Sequence, residues 1–420
     1  MDLAPPRGTR DFFPEEMRRR NWLFGHFREV ARLFGFEEYD APVVESAELY
    51  TRKEGEEIVE QLYAFEDKGG RRLALRPEMT PSLARLVLQK GSSLAFPIKW
   101  FALPQCWRYE RMTRGRRREH FQWNLDVFGV PGVAAEAELL AAVVTFFTRV
   151  GLGAEDVVIK VSSRRILQAV LEGLKVPEDQ FAAVCVLVDK LEKVPKEAVA
   201  EGMGALGLAG DLVDRIVEVT SLGSLEEVAR VIGPEHAGVV ELRELLALAE
   251  GYGIADWLRF DAGLVRGLGY YTGVVFEAFD RGGSLRAICG GGRYDHLLST
   301  FGGKDVPACG LGFGDPVITE LLAEKGLLPE LRPQVDDVVF AFAPDLRAAA
   351  MQVARQLRER GRSVDLVLDE RKVKWAFRHA DQAGAARVIL VAPDEWAVGK
   401  VRLREMATGE ERDLAVEELS

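Results

Sequence analysis

RYERMTRGRRREHFQWNLDVF, residues 108–128, sets a charged loop directly against a polar strand. Six arginines crowd the loop: Arg108, Arg111, Arg114, Arg116, Arg117 and Arg118. Two strands flank it, IKWFALPQCWRYE (98–110) before and EHFQWNLDVFG (119–129) after. Side chains alternate along a strand, so Gln122, Asn124 and Asp126 share one face. Guanidinium forks grip phosphate oxygens in pairs and stay charged at any working pH. A solvated hairpin or a nucleic-acid patch would also carry such a charge run. Three polar groups on one strand face beside the loop favour a pocket floor instead. The stretch reads as the core of the active site of an ATP-using enzyme.

Working outward, residues 14–36 predict an amphipathic helix. Leu23, Phe27, Val30 and Phe34 recur at helical spacing, and Pro14, Glu15 and Glu16 suit its first turn. FEEYDAPVVE follows as a strand interrupted by Pro42, which marks an edge or a meeting point with a partner. Lys68-Gly69-Gly70 predicts a hairpin turn, and residues 81–90 a helix. LALRPEMT places Arg76, Glu78 and Thr80 at alternating positions at a strand end. Residues 165–255 read as an inserted helical subdomain, broken by Pro177, Pro195, Gly223 and Pro234. Strands return at 272–280 and 285–290, followed by glycine-rich GGGRYD and the strand PACGLGFG. GLLPELRPQ has the look of a linker. Beyond it strands and helices alternate as in a small α/β domain. The expected fold is α+β: a catalytic domain over 1–325, with an antiparallel sheet flanked by helices and a helical insertion at about 165–255, then an α/β domain over 335–420.

Apolar residues make up 48% and charged residues 29%, with a net charge of -11. An acidic chain of this kind is not a general nucleic-acid coat. Cys106, Cys185, Cys289 and Cys309 form no CxxC pair, so neither a zinc site nor a disulfide framework is expected. No signal-length or membrane-length apolar run is seen, and the expectation is a cytoplasmic protein without membrane association.

LRPEMT, RYERMTRGRRREHFQWNLDVFG, LVRGLGYYTG (264–273) and GGGRYD together resemble histidyl-tRNA synthetase, a class II aminoacyl-tRNA synthetase. RGTRDFFPEE and the Pro42 strand are similar to its first class-defining motif, and the resemblance runs over nearly the whole chain. LRAICGGGRYD, PACGLGFGD and KWAF resemble the branch found in plant organelles and some bacteria. The resemblance implies a sheet that binds ATP with Mg²⁺, activates L-histidine and transfers it to tRNA-His, in a homodimer. It implies that Arg108 holds the α-phosphate, that Glu110 lies near the adenine amino group, and that Arg116 faces the outer phosphates. Glu78, Thr80 and Gln122 would bind the α-amino group. Asp126 and Tyr271, with Tyr270 beside them, would address the imidazole. Arg266 would be the catalytic arginine, bridging carboxylate and α-phosphate. No protein metal ligand is implied. Arg111 and Arg114 would face the tRNA acceptor end, and Arg117 and Arg118 solvent. Residues 335–420 would read the anticodon, with Arg371, Lys372, Lys374, Trp375 and Arg378 as a basic-aromatic stretch.

The chain departs from the family pattern in three places. Val317 stands where an arginine usually lies along the adenine. Asp126 replaces a glutamate, and Gly269 an aspartate. The same fold also serves the histidine-sensing regulatory subunit of ATP phosphoribosyltransferase, which charges no tRNA. That subunit lacks the last α/β domain, which is present here together with Arg266.

Overall fold

The structure is a computed structural model. It describes all residues except 1–2, 52–58, 189–193, 195, 209, 265–269, 334 and 420. The chain divides into two compact units, Met1–Leu328 and Pro329–Ser420.

The first unit is organised by a mixed sheet. Its strands are β1 (Glu37–Glu38), β5 (Ile98–Ala102), β7 (Glu119–Phe128), β8 (Val157–Ser163), β9 (Leu258–Phe260), β10 (Val274–Asp280), β11 (Cys289–Arg293) and β12 (Ala308–Gly314), with β6 (Gln105–Trp107) pairing β7 alone. The order is β1-β5-β7-β12-β11-β10-β8-β9. The strands from β5 to β8 are antiparallel, and only the outermost pairs, β1·β5 and β8·β9, are parallel. A smaller antiparallel sheet holds β2 (Val44–Ser46), β3 (Tyr63–Glu66) and β4 (Arg72–Leu75) in the order β2-β4-β3.

One face of the large sheet is closed by α1 (Pro14–Leu33) and by Ala134–Arg149. Proline at the first turn of α1, with Glu15 and Glu16, starts the helix where an N–H is not needed and a negative charge is favoured. Leu23, Phe27, Val30 and Ala31 form its buried stripe. Phe27 stacks on Trp123 of β7 at 4.8 Å, and Phe146 and Phe313 complete the cluster. Trp123, Leu125 and Val127 all belong to this core. The alternation of β7 therefore sends Gln122, Asn124 and Asp126 to the opposite face, away from the helices.

Several predicted elements have different bounds. The stretch 98–110 is two strands rather than one, because Pro104 offers no N–H to the ladder. Pro42 lies between β1 and β2, not within a strand. The strand expected to reach Arg76 ends at Leu75; Glu78 sits in the following turn and Thr80 opens a helix, Thr80–Lys90. The predicted strand at 285–290 is displaced: the glycine-rich CGGGR is itself the central strand β11. The turn at Lys68–Gly70 joins an antiparallel pair, as the sequence predicts.

An N-terminal strap fixes the exit of the arginine loop. The Gly8 carbonyl accepts from the N–H groups of Arg118 and Glu119, at 3.1 and 3.2 Å. Arg10 bridges Glu119 of β7 (3.3 Å) and Asp315 (2.7 Å), both buried. Asp315 also accepts from the Phe121 N–H at 2.7 Å. Without Arg10 two buried carboxylates would face each other unpaired, a loss of about 3–5 kcal/mol by analogy with broken buried ion pairs.

The helical stretch after β8 divides into two parts. Residues of Arg164–Gly173, Phe181–Val188, Lys196–Ala205 and Gly210–Thr220 form a core of their own, including Leu171, Val184, Met203 and Ile216. Leu225–Ile232 and Ala237–Gly251 instead add Val228, Leu242 and Leu245 to the main core.

The second unit is a five-stranded sheet, β14-β13-β15-β16-β17. Its strands are β13 (Asp337–Ala341), β14 (Val364–Leu366), β15 (Arg387–Val391), β16 (Lys400–Glu405) and β17 (Glu411–Ala415). The first three are parallel, linked through Arg347–Glu359 and Val373–Ala383, which cover opposite faces. The β16–β17 hairpin is antiparallel and was not read from the sequence. Trp375 is packed by Arg371 (5.1 Å) and by a parallel His379 ring (4.6 Å), which Asp365 holds at 2.7 Å. Lys372, Lys374 and Arg378 are exposed around this stack. Among the described residues no helix is long and apolar enough to cross a membrane.

Candidate active site

The sheet face opposite α1 carries a trough, and glycines make it. Two rows of directly opposed residues cross the strands: Glu277, Gly290, Gly312 and Asn124, then Val275, Gly292, Gly310 and Asp126. Cross-strand partners share a face, so both rows look out of the same side. A Cβ on Gly312 would overlap the Gln122 amide, and one on Gly310 would overlap Asp126 and Tyr294. On Gly292 it would come within 2.9 Å of the Tyr271 ring. The missing side chains leave a cavity of ≈ 140 Å³, lined among others by Glu78, Thr80, Arg108, Gln122, Tyr270 and Tyr271.

Six residues singled out from the sequence thus meet at one cavity, from separate turns and strands. Asp126 lies just beneath it, fully buried, and accepts a hydrogen bond from the Tyr294 hydroxyl. Tyr294 was not singled out from the sequence; it follows the glycine strand within GGGRYD. Its backbone is pinned by the preceding Arg293, whose guanidinium forms a buried two-point pair with Glu136 at 2.6 and 2.7 Å. Arg266 and Gly269 lie outside the described residues. Arg76 has a structural position: it is buried and donates to Asp40 (2.9 Å), the Ala41 carbonyl (2.7 Å) and the Gln105 carbonyl (2.9 Å).

Three buried acceptors around the trough have no partner among the described residues: Glu78 Oε1, Asn124 Oδ1 and Asp126 Oδ2. Each such group costs about 1–3 kcal/mol if it stays unmet. The site is therefore complementary to a ligand rich in N–H donors. Burial pushes the Asp126 carboxyl up to about 7; the Tyr294 hydrogen bond opposes this and the Glu78 charge adds to it. His120 shares the strand face of Gln122. Burial, and then Arg108, push its imidazole down to about 3, so it stays neutral beside the arginines.

The arginine loop is organised unevenly. Arg108 donates to the Pro77 carbonyl at 3.0 Å and stands 3.9 Å from Glu78, at the cavity. Arg116 pairs with Glu110 at 2.9 Å. Arg114 pairs with Glu324 and lies 3.7 Å from Glu320, both on the helix Asp315–Glu324. The loop tip rests on the same helix, since a Cβ on Gly115 would lie 3.1 Å from Val317. Arg118 packs 3.9 Å over Tyr109 rather than facing solvent alone, whereas Arg111 and Arg117 are exposed.

A donor-seeking trough beside a guanidinium cluster suits a cationic amino acid next to a polyphosphate. Sequence comparison agrees. The profile of the family described as histidyl-tRNA synthetase matches residues 8–314. The chain belongs to the histidyl-tRNA synthetase family. An anticodon binding domain profile matches residues 336–420. The histidine–tRNA ligase, chloroplastic/mitochondrial, of Arabidopsis thaliana is 55% identical over 100% of this chain and 86% of its own length. The histidine–tRNA ligase of Opitutus terrae is 42% identical, over 98% and 96%. Among solved structures, a histidyl-tRNA synthetase from a Nostoc species superposes with a TM-score of 0.80 at 25% identity, covering 100% of this chain and 99% of that one. The antiparallel catalytic sheet with flanking helices and the separate α/β domain form the architecture of class II histidyl-tRNA synthetases.

Proposed function

We propose that the chain is a histidine–tRNA ligase: it activates L-histidine with ATP to histidyl-adenylate and transfers the histidyl group to tRNA-His. The set of unmet acceptors at Glu78, Asn124 and Asp126 carries this reading. An α-ammonium and an imidazole N–H supply the donors that these groups lack. Glu78, Thr80 and Gln122 take the α-amino group, and Asp126 and Tyr271 the imidazole, with Tyr270 and Tyr294 as neighbours. Arg108 takes the α-phosphate, Arg116 the outer phosphates, and Glu110 the adenine side.

The chemistry brings two anions together. The histidine carboxylate attacks the α-phosphorus, the bond to the bridging oxygen breaks, and pyrophosphate leaves. Fixed positive charge is the main requirement, and no protein nucleophile takes part. Arg266 is proposed to hold carboxylate and phosphate together. Among the described residues no three His, Cys, Asp or Glu side chains converge as a metal site. Mg²⁺ would supply further positive charge on the phosphates. Glu277, at the end of a trough row, is a carboxylate of the type such a hard cation accepts.

The match of residues 336–420 to an anticodon domain supports the synthetase over the regulatory subunit. The 55% identity to the Arabidopsis enzyme supports the plant-organelle-like branch. A cytoplasmic homodimer completes the proposal; a monomer by light scattering at micromolar concentration would contradict the dimer.

The test is histidine-dependent exchange of pyrophosphate into ATP. Robust exchange is expected, with loss of about two to three orders of magnitude in Arg266→Ala, as for other groups acting on developing charge. An unaltered chain that binds histidine but gives no exchange would favour the regulatory reading.

A further inference from the structure

Arg286 stands outside the arginine loop, on the turn between β10 and β11. That turn is firmly built. Buried Asp280 accepts from the N–H groups of Leu285 and Ser284, both at 3.0 Å. Leu285 packs against the main core, and the Ile288 N–H returns to the Ala278 carbonyl at 2.8 Å. From this turn Arg286 lies within electrostatic reach of Arg116, Glu110, Arg108 and Glu277, the charged groups around the proposed nucleotide side of the site. Glu277 shares its sheet row with Gly290 and Gly312 of the trough.

Neighbouring cations are neutralised within the protein. Arg114 has Glu324 and Glu320, Arg116 has Glu110, and Arg293 has Glu136. Arg286 makes no hydrogen bond or ion pair among the described residues. Although its side chain is exposed at the rim, the surrounding protein and then Arg116 both lower its pKa. Such a placement disfavours the free protein, and it makes sense where a polyanion arrives to complete it. The helix on the other side offers no cation in its first turn. Val317 is buried there, with Gly115 of the loop seated on it.

We propose that Arg286 binds the outer phosphates of ATP, opposite Arg116, and helps hold the pyrophosphate as it leaves. This rests on the adenylation reading above. Arg108 and Arg116 approach the triphosphate from the loop, and Arg286 approaches it from the β10–β11 turn. A guanidinium suits this place because its fork meets two phosphate oxygens at once.

Arg286→Ala and Arg286→Lys test it in pyrophosphate exchange, with thermal melting alongside. The KM for ATP should rise about tenfold or more in Arg286→Ala, the usual scale for a lost hydrogen bond to a charged group. The KM for histidine should move less than about twofold, and Arg286→Lys should recover part of the loss, since it keeps the charge without the fork. Melting should be unchanged or slightly higher, because repulsion is relieved. An unchanged KM for ATP would overturn the proposal. So would a parallel rise in both KM values with lower melting, which marks a structural role. Intact exchange with loss confined to transfer onto tRNA would overturn it too, by assigning Arg286 to the tRNA backbone. Absence of exchange in the unaltered chain is a different observation and would overturn the adenylation reading itself.

Discussion

Gly312→Ala is expected to fold normally and to lose about a hundredfold or more in kcat/KM for histidine. The new methyl would meet the Gln122 amide and no backbone atom at close range. Gln122 ends a flexible side chain, so it can swing aside and spare the fold. The open space beside it is the cavity it lines. The substitution therefore removes a proposed ligand to the α-amino group and occupies space the substrate needs. A lost hydrogen bond to a charged group alone is worth about 1.5–3 kcal/mol, or roughly ten- to a hundredfold. Circular dichroism and melting would check the fold. Histidine kinetics within about threefold of the parent, with the fold intact, would show that the trough is not where the amino acid binds.

Asp126→Ala should cost about 10²–10⁴ in kcat/KM for histidine, with little effect on the KM for ATP. Sites that hydrogen-bond a polar substrate group fail on this scale when the match is broken. The milder Asp126→Asn separates charge from shape through pH. The Asp126 carboxyl is pushed up to about 7, chiefly by burial. Its ionised form, which accepts from an imidazole N–H, is dominant above that pH and lost below it. Free histidine gains its own proton at about 6.5. The parent kcat/KM should thus fall more steeply with falling pH than one ionisation allows, and Asp126→Asn should follow histidine's ionisation alone. Stability carries the opposite sign. A raised carboxyl pKa gives stability that is full below the ordinary value near 3.8 and lost as pH rises through about 7. Asp126→Asn should therefore gain stability relative to the parent at pH 8 compared with pH 5. Identical pH profiles for the two proteins would remove Asp126 from imidazole recognition.

Periodicity made much of the scaffold legible. The stripe at Leu23, Phe27 and Val30 marked the first helix, and Gln122, Asn124 and Asp126 marked the polar strand face. Strand β11 escaped because CGGGR carries the usual signature of a turn. Its glycines instead answer demands from elsewhere, since a Cβ on Gly291 would meet the Gly310 carbonyl and the Phe276 ring, and one on Gly292 the Val274 carbonyl and the Tyr271 ring. Such demands exist only after folding. Tyr294 escaped for the same reason, as the residue next to that strand. Arg76 shows the converse error. Local pattern groups it with Glu78 and Thr80, yet its partners lie at Asp40, Ala41 and Gln105, far along the chain. Arg286 had nothing around it to distinguish it from a surface arginine. The β16–β17 hairpin buries only a few apolar residues, Val401 and Leu403 among them, between charged ones, which weakens its strand signal.

The excursion between β8 and β9 is a crossover between neighbouring parallel strands. Val161 pairs with Phe260, and the Asp261 N–H donates to the Val161 carbonyl at 3.0 Å. Because the two strands are parallel and Leu258 lies opposite Ile159, the two ends of the segment covering residues 164–257 stand about four residues apart along the sheet, roughly 14 Å with the strand spacing included. The outer helices of this crossover keep a core of their own, which makes them a natural graft point, where a relative of different size could carry a longer or shorter appendage without disturbing the trough. The packing also sets where a truncation must stop. Helices up to Thr220 share a private core, but Ile166 of Arg164–Gly173 belongs to the body with Val228, Leu242 and Leu245, and these must stay.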